Sequence, residues 1–395
     1  MNFALEGVRV LDLSRFIAGP SCTMLLADMG ADVIKVERPG GEDSRQVAPF
    51  VNGHSVYTMV FNRNKRAITV NTRDEQGRDL LKKLVRQWAD VVVENYRPGT
   101  MDKMGLGYEQ LKTLKEDIIL TSVSGLGQTG PLKDRAMFDA AAQAMSGLAY
   151  RNGRPDDPPM FTGVFLADYI AGAYAAFGTM AALFHRELTG EGQVVDVALL
   201  DSLFSVLGVQ MAAWLLLREK MPRTGNRDLY TAPAKIFEAA DGYIYFHGGT
   251  DSLFKRLASA MGKSELAEDP RFATSPARME NVEELEEIVD SWVREQNVSE
   301  ISTKLEEAGI PYGPVADIPE ATSNPQLRAR EMMVEVEHAQ AGRIVVPGIV
   351  AKLSKTPGSV HMAPPTVGQH NQEVFCNLLK LSPQELEELR SQGVV

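Results

Sequence analysis

Residues 8–37 read VRVLDLSRFIAGPSCTMLLADMGADVIKVE, and this stretch decides the fold. Val8 to Leu13 is a short apolar run suited to a strand, Cys22 to Met29 has the composition of a helix, and Ala31 to Glu37 is a second strand-like run. The pattern repeats outward from there. Arg66 to Val70 precedes a charged amphipathic stretch from Glu75 to Trp88, Asp90 to Glu94 follows as a strand, and Tyr108 to Lys115 leads as a helix into Ile118 to Val123. Strands alternating with helices at this spacing predict an α/β fold: a Rossmann-like parallel sheet with helices on both faces, whose ligands sit beyond the carboxyl ends of the strands.

Met160 to Phe184 is almost wholly apolar, with Asp168 its only ionisable residue. Its length would allow a membrane span. The run is rich in small residues, among them Ala171, Gly172, Ala175 and Gly178, and no comparable second span exists, so a helix buried in a large core is expected. Gln193 to Ala198 reads as one more strand and Ser202 to Leu217 as an apolar helix. The texture then changes. Met221 to Asn226 looks like a linker, and Lys235 to Phe246 looks like a hairpin turning at Ala240-Asp241-Gly242, followed by helices at about 252–261, 282–295 and 298–308. After about Asn324 the chain is strand-like near Arg343 to Val350, then proline-rich, and ends in a short charged helix. The expected organisation is a large domain over 1–220, a smaller α+β domain over 221–325 and a C-terminal segment over 326–395.

With 395 residues, 44% hydrophobic and 24% charged, the chain can bury more than one core. Its formal net charge of −11 repels nucleic-acid phosphates and anionic lipid headgroups, so neither nucleic acid nor membrane is an expected partner. An anionic ligand must be met by a local cluster of Lys and Arg. Cys22 and Cys376 form no CxxC pair, which suggests neither a disulfide framework nor a cysteine zinc site, and no basic-then-apolar leader is visible. A reducing cytosol is the expected compartment.

Gly125-Leu126-Gly127-Gln128-Thr129-Gly130 is a formal GxGxxG after a strand. A dinucleotide-binding fingerprint should follow the first strand and run into an apolar helix, whereas here Pro131 to Arg135 follows. A mobile loop, or room for another backbone to approach, is the expected role of these glycines. None of the six histidines lies in HExxH or another close pair with ligand spacing, so no metal is expected, and no GxSxG elbow is present. What remains is a set of basic residues assigned to loops that follow strands: Arg15, Arg38, Arg63, Lys65, Arg66, Arg73, Arg97 and Lys103. Gathered at the ligand edge of the sheet they suit a phosphorylated ligand; scattered, they are a solvated face. Phe16-Ile17-Ala18-Gly19-Pro20 would add a surface for an adenine or an acyl chain.

Asp168 is the candidate nucleophile. A carboxylate among apolar neighbours is disfavoured unless its charge is stabilised, and a plain N-cap fits poorly behind Phe165-Leu166-Ala167. At the positive end of a helix it is expected to stay ionised, and with little water around it to attack a thioester carbonyl. The products, a mixed anhydride and a thiolate, keep the acyl group activated.

Several stretches together resemble the class III coenzyme A transferases, the family of formyl-CoA transferase and carnitine CoA-transferase, and the related alpha-methylacyl-CoA racemases. They are Val10 to Ser14 with Ala18-Gly19-Pro20, Leu26 to Glu37, Asn64-Lys65-Arg66, Glu94 to Gly99, Met104-Gly105, Ser124 to Gly127, Ala167-Asp168, and Pro365 to His370. The resemblance implies a Rossmann-like large domain completed by the returning C-terminal segment, a small domain between, and an interlocked homodimer. It implies that Asp168 forms an acyl anhydride and then an aspartyl-CoA thioester, with acyl-CoA and a small carboxylic acid as substrates and no permanently bound cofactor. Coenzyme A contacts then map onto Phe16, Ile17, Ala18, Arg38, Val70, Arg73, Asn95, Tyr96 and Lys103, with Phe16 and Ile17 acting mainly through backbone. Lys103 stands where arginine is common, which keeps the charge and loses the bidentate fork. Two departures bear on the reaction. Racemases of this type carry His-Asp where this chain has Phe138-Asp139, so transfer is favoured over racemisation. The longer glycine run that closes over the aspartate in formyl-CoA transferase is here only His247-Gly248-Gly249-Thr250.

Overall fold

Arg9–Asp12 (β1) lies between two parallel neighbours, with Val10 opposite Val33 on one side and Val91 on the other. It leads into Ala18–Asp28 (α1) and then Asp32–Glu37 (β2), Lys65–Thr69 (β3), Glu75–Gln87 (α2), Val91–Glu94 (β4) and Ile119–Ser124 (β5). Asp139–Ser146 (α3) and Leu166–Thr189 (α4) precede the last strand of the sheet, Val194–Ala198 (β6), and the helix Leu199–Ser205 (α5). The computed structural model describes residues 3–395. The sheet order is β3-β2-β1-β4-β5-β6, every pairing parallel. Chain direction across the sheet reverses between β1 and β4, and a crevice opens there beyond the strand ends.

Alternate residues of each strand feed two cores. Leu11, Ile34, Ile68 and Val92 pack with Leu80, Leu81 and Leu84 of α2 and with Val374, Phe375 and Val394 near the end of the chain. Val10, Val33, Val91 and Ile119 pack with Cys22 and Leu26 of α1 and with Ala171, Ala175 and Ala182 of α4. Burial on both faces explains the nearly continuous apolar strands, each large side chain contributing about 1.5–3 kcal/mol. The final segment also covers the open edge of β3: His370 N–H donates to Ala67 O, Ala67 N–H donates to His370 Nδ1, and Thr69 N–H donates to Asn371 Oδ1. That closes an edge which would otherwise present unpaired backbone.

α4 differs from the expected helix buried on all sides. Its small-residue face is buried against α1 so closely that a Cβ on Gly172 would lie 2.0 Å from Ser21 Oγ. Its other face leaves Tyr169, Tyr174, Phe177, Met180, Phe184 and Leu188 exposed. α4 is the single straight helix among the described residues long and apolar enough to cross a membrane. The helix expected over Ser202 to Leu217 is broken: α5 ends at Ser205, and Gly208–Ala212 continues into a wider π-turn at Ala213–Leu217 after a bend of 77°. Leu203 and Phe204 carbonyls close the first piece in tight turns, and Gly208 gives little reason to continue it.

The chain divides into two units, one made of residues up to Ala149, Phe161–Arg218 and Pro325–Val395, the other of Tyr150–Met160 and Glu219–Asn324. Residues 150–160 cluster with the second unit because Gly225 N–H donates to Gly153 O and the Tyr150 ring sits against Lys220 and Arg223. That unit pairs Ala234–Ala239 antiparallel with Gly242–His247, adds Tyr312–Pro314 at the edge, and packs Asp251–Ala260, Val282–Arg294 and Val298–Glu307 over Phe237, Phe246 and Phe254. Arg278 is fully buried there and satisfied by the carbonyls of Ala232, Phe272 and Gly249.

Candidate active site

The segment after β1, Arg15–Ala18, and the segment after β4, Asn95–Pro98, line one cavity of about 470 Å³ at the point where the sheet reverses. Asn95 ties the two together, its Oδ1 accepting from Arg15 N–H at 2.8 Å and its Nδ2 donating to Arg15 O at 2.7 Å. The side-chain amide of Asn95 is therefore committed to the neighbouring loop. Behind the loop, Asp12 and Lys65 form a fully buried pair at 3.0 Å. Burial works to raise the Asp12 carboxyl, but Lys65, Lys35 and hydrogen bonds from Ser14 and Thr23 outweigh it and hold it at about 2.

Asp168 stands on the wall of this cavity, in the first turn of α4 and half-buried. Phe165, the N-cap, offers no side-chain acceptor. The cap comes instead from α3: Asp139 Oδ2 accepts from Ala167 N–H at 2.7 Å and Asp168 N–H at 3.2 Å, while its Oδ1 accepts from Gln143 Nε2 at 2.6 Å. This corrects the expectation that the helix end keeps Asp168 ionised. The positive end of α4 is occupied by Asp139, and burial first, the Asp139 charge second, push the Asp168 carboxyl up to about 7.

A second cavity of about 740 Å³ shares Arg15 and Tyr96 with the first. The Arg15 guanidinium lies 5.2 Å from the Tyr96 ring centroid, so the two side chains form one shared wall. Arg38, Val70, Arg73 and Lys103 line the second cavity, whereas Phe16, Ile17, Ala18 and Asn95 line the first. Arg38 donates to Gly41 O and pairs with Asp43, while Arg73 and Lys103 carry no ion pair among the described residues. The basic residues divide by their position on β3. Arg63, Lys65 and Arg66 precede or open that strand and so lie away from the ligand edge, contrary to expectation. Arg63 pairs with Asp28 at 2.7 Å, Lys65 with Asp12, and Arg66 with Asp32 and Glu373.

Phe138 is 73% exposed and meets Phe16 edge-on at 6.2 Å between centroids on the cavity wall. No histidine lines the cavity among the described residues. Gly125 also lines it and could carry no Cβ, which would lie 2.5 Å from Met137. Gly248 and Gly249 belong to the other unit, where Gly248 N–H donates to Pro233 O and a Cβ on Gly249 would lie 2.5 Å from Thr231. Close backbone packing within that unit accounts for both. Among the described residues no group of His, Cys, Asp or Glu could hold a metal ion. Among the polar lining residues, Tyr57, Lys133 and Arg135 were not foreseen from the sequence. Tyr57, on the short helix Val56–Phe61, has its phenol raised by burial and by the Asp168 charge, and Lys133 and Arg135 lie on the strap after Gly130. The Ser55 cap on Thr58 N–H was the one local sign of that helix.

The sequence pattern of CoA-transferase family III matches residues 5–371. Over 99% of its length the chain is 39% identical to the succinyl-CoA–D-citramalate CoA-transferase of Chloroflexus aurantiacus, covering 98% of that protein. It is 38% identical to the succinyl-CoA:glutarate CoA-transferase of Homo sapiens, covering 99% of this chain and 90% of the other. The crystal structure of a CAIB/BAIF family protein from Brucella suis superposes with a TM-score of 0.86 at 34% identity, over 96% of this chain and all of that one. With a reversing parallel sheet, two adjoining cavities and relatives matched from end to end, this chain belongs to CoA-transferase family III.

Proposed function

We propose that this acyl-CoA:carboxylate CoA-transferase works through Asp168, carried by one observation: a carboxyl tuned to about 7 lies in a cavity that shares a wall with a second cavity rimmed by Arg38, Arg73 and Lys103. The phosphates of coenzyme A take the cationic second cavity, and the pantetheine arm passes the Arg15–Tyr96 wall to bring its thioester to Asp168. The ionised carboxylate adds to the thioester carbonyl, and the C–S bond breaks to give a mixed anhydride and CoA thiolate. The thiolate attacks the Asp168 carbonyl of the anhydride, releasing the donor as its carboxylate and leaving an aspartyl-CoA thioester. The acceptor carboxylate attacks that thioester, and the freed thiolate then takes the acceptor acyl group, regenerating Asp168. Each bond broken is replaced by one of similar energy, so no ATP is needed. Ile17 and Ala18 N–H groups, at the start of α1 and without an acceptor among the described residues, are suited to the developing oxyanion.

Succinyl-CoA as donor and a dicarboxylate as acceptor are the substrates we favour, since the relatives are named for them. Arg97, Lys133 and Arg135 line the Asp168 cavity without ion-pair partners among the described residues and suit a second carboxylate. The enzyme works as a homodimer, whose interface would cover the exposed apolar face of α4 and Trp214 to Leu217. A racemase on the same scaffold is not favoured, because Phe138 precedes Asp139 and no histidine among the described residues lines the cavity to move an α-proton. The test is peptide mass spectrometry after incubation with succinyl-CoA and hydroxylamine. The hydroxamate is expected on Asp168, and unmodified protein that still transfers CoA would refute the mechanism.

A further inference from the structure

Ser14–Phe16 carries the chain from β1 toward α1, with Arg15 and Phe16 on the wall of the Asp168 cavity, and Phe16 sits there at φ +64°. An aromatic residue avoids this left-handed region, so the surroundings must hold it. The backbone groups of the loop are held one by one. Ser14 N–H donates to Asp12 Oδ1 at 2.9 Å, Arg15 N–H and C=O are both taken by Asn95, and Phe16 N–H donates to Glu42 Oε2 at 3.3 Å. Lys35 Nζ donates to Ser14 O and lies 3.4 Å from Glu42 Oε1. One ion pair thus grips both ends of the loop, Lys35 at the carbonyl of Ser14 and Glu42 at the amide of Phe16. Both side chains are buried, at 1% and 2% exposure. Glu42 is itself fixed, since its N–H donates to Glu37 Oε2 and Glu37 is held bidentately by Arg45.

A buried ion pair is rarely the cheapest way to fill a core, because desolvation offsets most of its attraction. Here both partners spend hydrogen bonds on a strained loop, and neither lines the Asp168 cavity, although Glu42 borders the second one. We infer that Lys35 and Glu42 are positioning residues of the transfer reaction, whose buried pair holds Phe16 in its left-handed conformation and so sets the start of α1, Ile17 and Ala18, at the reacting groups. The charges of Glu42, Asp12 and Glu37 outweigh the burial that would lower the Lys35 ammonium, so it stays cationic. The role does not depend on which group of the cavity receives the acyl unit.

The test separates the pair's charge from its grip. Lys35→Met/Glu42→Met fills the same space without polar groups, and Lys35→Met/Glu42→Gln returns an acceptor to Phe16 without charge. The double Met variant is expected to keep its melting temperature within a few degrees and its coenzyme A affinity within twofold, while kcat for CoA transfer falls at least tenfold. The Gln variant is expected to recover at least threefold of that loss. Glu42→Asp, which keeps the charge but withdraws the acceptor from Phe16, is expected to lose at least fivefold in kcat with affinity intact, and it decides the matter should the double Met variant not fold. A folded double Met or Asp variant with kcat within twofold of the parent overturns the inference. An equal loss of coenzyme A affinity and kcat also overturns it, by assigning the pair to the second cavity instead.

Discussion

Replacing Asp139 with Asn should move the pH dependence of the transfer reaction toward acid. Asp139 accepts the first free amides of α4 and sets its negative charge beside Asp168, whose carboxyl stands at about 7 against an ordinary 3.8. Burial is the larger cause of that rise and Asp139 the smaller, so removing the charge should lower the midpoint by about one pK unit, equivalent to about 1.4 kcal/mol. Only the ionised carboxylate attacks a thioester, so the parent rate rises with pH through a midpoint near 7. At pH 6 the ionised fraction of Asp168 should climb from about one tenth to about one half in Asp139→Asn. A less basic carboxylate is also a weaker nucleophile, so the alkaline plateau should fall about threefold. The two profiles should cross, the variant being faster at pH 6 and slower at pH 8.5. The assay is single-turnover acylation by succinyl-CoA from pH 5 to 9, with denaturant unfolding to check the fold. Asn remains a competent cap, and the mismatch with Gln143 should cost about 1–3 kcal/mol. A midpoint that stays where it was, or moves to alkaline pH, would refute the reasoning.

Asp168→Asn should abolish transfer yet stabilise the protein above neutral pH. A carboxyl raised in the folded state binds its proton more tightly there than in the unfolded chain, so stability declines as pH climbs from about 4 through 7 and the deficit is complete above that. The deficit is about 4 kcal/mol before solvent screening and about 2 after it, so the variant should melt several degrees higher than the parent at pH 8 and no higher at pH 4; equal curves at pH 8 would contradict this. Arg73→Ala and Lys103→Ala should each weaken coenzyme A about five- to tenfold by calorimetry, an effect shrinking with added salt, with kcat at saturation retained. A loss of kcat with unchanged affinity would place the phosphates elsewhere. Gly172→Ala forces a methyl to within 2.0 Å of Ser21 Oγ and 2.8 Å of Ala18 O, and overpacking of α1 on α4 should cost about 1–3 kcal/mol in denaturant unfolding. An unchanged midpoint there would show that the two helices separate freely.

The parallel sheet was legible because each strand is a short apolar run between amphipathic segments, and that periodicity is written locally. The crevice was legible for the same reason, since strand ends and the loops after them can be counted along the chain. Asp168 stood out as a lone acid in an apolar run. Local pattern could not tell Arg63 and Arg66 from Arg38 and Arg73, because all four lie in or beside strand-like runs and only the direction of the strand decides which end faces ligand.

By itself the sequence determined the alternating strands and helices of the parallel sheet, and which acid lies among apolar neighbours, because those properties are local. Tertiary structure alone decided that Asp139 rather than Asp168 caps α4, that Asn95 serves a backbone instead of a side-chain contact, and that one face of α4 is exposed. Those outcomes depend on groups brought together from distant parts of the chain, as Asp139 and Ala167 are, and a carboxyl's charge state follows from the water and the neighbours it is left with after folding.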